Sequence, residues 1–136
     1  MISWFEKHIK ISWIITIFIA IAIFYISSLT FEQSTGSGGI GIKAILYHII
    51  VFFFFAFFLA ISLARGKNIS LIFLAIIFSI LYGISDEIHQ SFVPGRVSSI
   101  SDVFLDSVGI IFASLFYFIL IEYRQRFKIK KHSQYL

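Results

Sequence analysis

The chain has 136 residues, 59% of them hydrophobic and 13% charged, with 18 Phe against a single Pro. A soluble domain carries about 25% charge, so this is the composition of a membrane protein. The absence of cysteine excludes disulfides, thiolate chemistry and zinc–thiolate sites. The net charge of +4 does not mark a nucleic-acid binder, because the basic residues fall between and after apolar runs, the placement that orients membrane helices.

Four apolar segments are long enough to cross a hydrocarbon core of roughly 30 Å, which takes about 17–25 helical residues. They span residues 11–29, 44–64, 69–85 and 103–121, and the third needs Asp86 and a further turn to complete its crossing. Many positions are β-branched, but in lipid a run this long must satisfy its backbone hydrogen bonds internally, so helix is expected throughout. The first run exceeds the usual signal-peptide core and no small-x-small pattern closes it, so it is read as a retained helix. The stretch TFEQSTGSGGIGIK then reads as an exposed loop. The short RGKN link makes the second and third helices an antiparallel hairpin, and Pro94-Gly95 forms a tight turn between the third and fourth. The expectation is a single all-α domain over residues 1–136, an integral membrane four-helix bundle.

Orientation follows from the cations. Lys7, Lys10, Arg65, Lys67, Arg124, Arg126, Lys128, Lys130 and Lys131 fall on one side of this layout, and only Lys43 and Arg96 on the other. Both termini are therefore expected in the cytoplasm. Glu32, Asp86, Glu87, Asp102 and Asp106 then lie toward the outer face. His48 sits about 7 Å below the start of the second helix, at 1.5 Å per residue.

Every helix thus brings polar residues to the outer end. If the third helix continues past Ser85, Asp86 is i, i+3 from His89 and i, i+4 from Gln90, while Glu87 points elsewhere. Asp102 and Asp106 share a face of the fourth helix. Asp102 is as well explained by a helix start, where the macrodipole favours a carboxylate, as by catalysis. Asp106, one turn into the bilayer, requires a partner, hydration or neutralisation. His48 is equally an interhelical hydrogen-bonding group or an acid/base residue. Arg96 suits either an ion pair with the acids or an anionic ligand. Ser27 and Ser28 read as helix-end hydrogen-bonding groups, Ser28 also as a substrate contact. Ser98, Ser99 and Ser101 read as loop and cap residues.

DEIHQSFVPGR at 86–96, followed by Asp102, Asp106 and Gly109 in SxxDVFLDSVG, resembles the VanZ-like family of bacterial membrane proteins. The likeness extends to Ser27-Ser28 and to Lys43 followed by His48, whose separation of five is wider than the family's spacing. The resemblance implies a several-helix membrane protein linked to resistance against teicoplanin-type glycopeptide antibiotics, without supplying a reaction.

Three functions stand side by side. In an enzyme acting on an envelope amphiphile, Glu87 or Asp106 is the base, His89 or His48 its acid/base partner, with Asp86 beside them. Arg96, Gln90, Asp102 and Ser28 then bind the substrate. A divalent metal on Asp86, His89, Asp102 or Asp106 is chemically admissible, but no standard metal motif is present and no cofactor is identified. In a binding protein the same cluster grips a lipid headgroup, a lipid-linked cell-wall precursor or the glycopeptide itself. In a structural reading the charges form a network fixing the helix ends. The expected partners are membrane lipids, with no nucleic acid.

Overall fold

The computed structural model describes residues 2–29, 41–96 and 98–133, with side chains through residue 127. All the regular structure among these residues is helical: α1 (Ile2–Lys7), α2 (Ile9–Ser27), α3 (Ile42–Ala64), α4 (Ser70–Ser91) and α5 (Ile100–Ser133). Four are long and apolar enough to cross a membrane: α2, α3, α4 and the first 28 residues of α5. They run up and down, so that α1, the α3–α4 link and the far part of α5 meet at a basic end. The end of α2 and the α4–α5 link meet at the opposite, acidic end.

Small residues set the packing. Without water to drive apolar surfaces together, membrane helices associate where small side chains let backbones approach. Ala56, Ala60 and Ala64 on α3 and Gly109 and Ala113 on α5 recur at four-residue spacing, and all are buried, the alanines in a core with Phe52, Ile110 and Tyr117. At Gly109 the contact is backbone to backbone, since a Cβ there would overlap the Ile49 carbonyl. Large apolar side chains such as Phe18, Phe73 and Phe112 instead face outward, where lipid would cover them. α2 buries the least of the four crossings and is the peripheral helix.

The helix boundaries add to the sequence expectation. A short helix, α1, precedes the first crossing. It is separated from α2 by a break at His8 (φ −98°, ψ 61°), whose ring stacks on Trp4. The third crossing runs through Asp86 and the next turn to Ser91, as its short apolar run requires, with the Gln90 amide bonded back to Asp86 one turn earlier. The fourth crossing begins at Ile100 rather than 103 and runs far past 121, since EYRQRFKIKK is rich in good helix formers and adds the Arg126–Glu122 pair at i, i+4. Residues 30–40 of the expected loop, Glu32 included, lie outside the described residues, as do the side chains of Lys128, Lys130 and Lys131. Ile42 and Lys43, placed in that loop from sequence, belong to the first turn of α3.

Gly109→Ala should therefore separate α3 from α5 and lower stability by roughly 1–3 kcal/mol, as overpacking a tight core does. A lower melting temperature of the detergent-solubilised protein is the expected reading. An unchanged one contradicts the backbone contact.

Candidate functional site

Three helices build the acidic end. α3 carries His48 on its inner face, a turn and a half below its start at Ile42, and α5 brings Asp106 opposite it. His48 Nδ1 lies 2.9 Å from Asp106 Oδ1, and both residues are buried. A carboxylate only accepts, so His48 donates from Nδ1. Asp106 fits because Gly83 of α4 has no side chain: a Cβ there would stand 3.2 Å from Asp106 Oδ2 and 3.3 Å from the Phe52 ring. On the other edge of the imidazole, Nε2 faces Asp102 Oδ2 at 3.9 Å. That is too long for a hydrogen bond. Glu87 of α4 supplies a carboxylate oxygen to the same space, within 4.8 Å of ligand atoms from His48 and Asp102.

The α4–α5 link holds this arrangement. Val93 to Arg96 forms a turn closed by the Arg96 N–H to Val93 carbonyl bond at 3.1 Å, with Gly95 at φ 80°, a conformation suited to glycine at the third position of a type II turn. The chain then reaches Ser99, whose Oγ caps α5 by accepting the Ser101 N–H at 3.1 Å. The Ser99 N–H in turn donates to Glu87 Oε2 at 2.9 Å. Glu87 thus ties the start of α5 to α4 while its other oxygen, Oε1, has no hydrogen-bond partner among the described residues.

The expected cluster separates into three groups. His48, Glu87, Asp102 and Asp106 come together. His89 instead turns toward α2, where it stacks on Phe24 at 4.3 Å and its Nε2 lies 2.9 Å from Ser28 Oγ. Ser28 donates to the Phe24 carbonyl, so it accepts from His89. Asp86 and Gln90 pair with each other at i, i+4, the Gln90 amide donating to Asp86 Oδ2 at 2.8 Å. Asp86 Oδ1, Asp106 Oδ2 and the Tyr47 hydroxyl, all buried, also lack hydrogen-bond partners among the described residues. Arg96 is half-buried in the link above them, and Lys43 is exposed in the first turn of α3.

Two features had no counterpart in the sequence reading. At the basic end Glu6 receives both outer nitrogens of Arg124, at 2.8 and 2.6 Å, and the Tyr117 hydroxyl at 2.9 Å. Tyr117 accepts in turn from Gly66 N–H at 3.0 Å. A cavity of about 900 Å³ opens beside this knot, bordered by Lys7, Arg65, Lys67 and Arg124. The second feature is a wholly apolar groove of about 480 Å³ between α2 and α3, lined by residues including Phe18, Ala22, Ile50, Phe54 and Tyr47. An acid among cations near the N-terminus was the only sequence signal for the first. The groove gave none.

The two inner histidines should carry their protons on different nitrogens, His48 on Nδ1 toward Asp106 and His89 on Nε2 toward Ser28. Side-chain ¹⁵N resonances in micelles, assigned with His48→Gln and His89→Gln, read this directly. A His48 protonated only on Nε2 contradicts the geometry.

The family model described as VanZ/LLP1 matches residues 9–121, a range that runs from the start of α2 into α5 and includes every residue of the acidic end. Comparisons with curated proteins and with solved structures gave no match. The match covers all four crossings up to Ile121, and the chain belongs to the VanZ/LLP1 family.

Proposed function

We propose that the acidic end is a binding site for the polar head of an envelope amphiphile, a lipid or a lipid-linked cell-wall precursor, and that occupying it contributes to resistance against teicoplanin-type glycopeptides. The observation that carries this reading is that four of the buried oxygens lacking hydrogen-bond partners among the described residues belong to this end: Asp86 Oδ1, Glu87 Oε1, Asp106 Oδ2 and the Tyr47 hydroxyl. Each such group costs about 1–3 kcal/mol when left unmade, so their gathering at one end favours a polar guest. Tyr47 also lines the apolar groove, which suits the chain of the same amphiphile.

Within this reading His48, Glu87 and Asp106 supply the chemistry, Arg96 meets the anionic part of the head, and Asp86 with Gln90 completes the polar wall. Asp102 stands at the mouth. His89 and Ser28 hold α2 against α4 and act by positioning. The excess of Lys and Arg at the opposite end supports an outward-facing acidic end and cytoplasmic termini in a bacterial plasma membrane.

A structural network is the second reading. It is favoured by the Glu87–Ser99, Asp86–Gln90 and His89–Ser28 bonds, each of which fixes a helix end.

Complementation separates the two. In a host lacking the protein, wild type, Glu87→Gln and His48→Gln are expressed at matched membrane levels and tested against glycopeptides and lipoglycopeptides. The binding reading expects protection by wild type that both variants lose. Equal protection by all three favours the network, and no protection by wild type removes the resistance role.

A further inference from the structure

We propose that His48, Glu87 and Asp102 form a divalent transition-metal site, with Asp106 as the positioning residue that aims the imidazole. The proposal rests on the reading of the acidic end as a binding site and specifies what lies at its centre.

Three electron-pair donors converge there. With the proton of His48 held on Nδ1 by Asp106, Nε2 presents a lone pair. Its neighbours are carboxylate oxygens of Glu87 and Asp102, and the three ligand atoms lie within 4.8 Å of one another. Acceptors so gathered require an electrophile between them. A shared proton does not fit the His48–Asp102 separation of 3.9 Å. A metal ion does: ligands at about 2.0–2.2 Å in tetrahedral array stand about 3.4 Å apart, so the site closes on an ion with small side-chain movements.

Independent observations point the same way. Glu87 is 5% exposed, and its Oε1 has no hydrogen-bond partner among the described residues although Oε2 is anchored by the Ser99 N–H. The Asp106–His48 bond is the carboxylate–histidine arrangement that orients metal ligands and fixes their tautomer. The charge balance also favours a cation, since Asp86, Glu87, Asp102 and Asp106 crowd one end to which Arg96 and the exposed Lys43 bring two positive charges. One imidazole and two carboxylates suit Zn²⁺ or Mn²⁺, and three protein ligands leave coordination positions for a phosphate or carbonyl oxygen of the bound head. His89, although on α4 with Glu87, turns its ring toward Phe24 and Ser28 and stays outside the site.

The test uses the full chain in detergent micelles, stripped with a chelator and then equilibrated with Zn²⁺ or Mn²⁺ alone. Metal content and affinity are measured by mass spectrometry and calorimetry. Wild type should retain one ion per chain. Glu87→Gln and His48→Gln should lose it, and Asp106→Asn should weaken it about 10–100-fold, the usual consequence of removing a ligand's orienting partner. His89→Gln should bind as wild type. Each variant is first confirmed as folded by helical circular dichroism and a single size-exclusion peak. Absence of a retained ion in wild type overturns the proposal, as does equal loss in His89→Gln and His48→Gln. Because the readout is the metal alone, a failed metal site with intact protection leaves the headgroup reading standing. A bound ion without protection removes only the resistance role.

Discussion

A carboxylate carried into a membrane-crossing helix has to be answered by another group, and in this chain His48 answers Asp106. The bond between them spans α3 and α5, the two helices whose backbones approach at Gly109. Several sequence choices serve that one contact. Gly83 leaves room for the carboxylate, Gly109 lets the helices close, and the tight turn at Pro94-Gly95 lets α5 start beside α4. With Nδ1 committed to Asp106, the far edge of the imidazole is open toward Asp102 and Glu87. The pairing that makes Asp106 tolerable in the interior also leaves a nitrogen available for chemistry.

Much of this was legible from the residues. Apolar run length gave four crossings, because a bilayer's thickness constrains helix length far more tightly than a soluble core does. Asp106 could be assigned to the interior on energetic grounds. The i, i+4 relation of Asp86 and Gln90 followed from helical geometry and appears as a hydrogen bond. The cap role of Ser99 followed from its residue type.

The partition of the two histidines was not legible. His89 and Glu87 are two residues apart on α4, which points them about 200° apart around the helix, but the sequence does not say which neighbouring helix each will meet. That depends on the rotation of α4, whose Tyr82 packs on Phe52 and Phe55 of α3 and donates its hydroxyl to the Ala20 carbonyl of α2. The ends of the last helix were misjudged for a related reason. The hydropathy signal stops where polar residues begin, whereas backbone hydrogen bonding continues through the polar half of α5.

The knot at Glu6 bears on how the protein is made. Tyr117 and Arg124, its two side-chain partners, lie 111 and 118 residues further along the chain. During synthesis α1 emerges first, yet the groups that satisfy its carboxylate exist only once the last crossing has been built. The docking of α1 is therefore a late step of biogenesis. A chain cut short before Arg124 leaves that acid beside the bundle without its cation, so proper seating of α1 reports that the fourth crossing has been built.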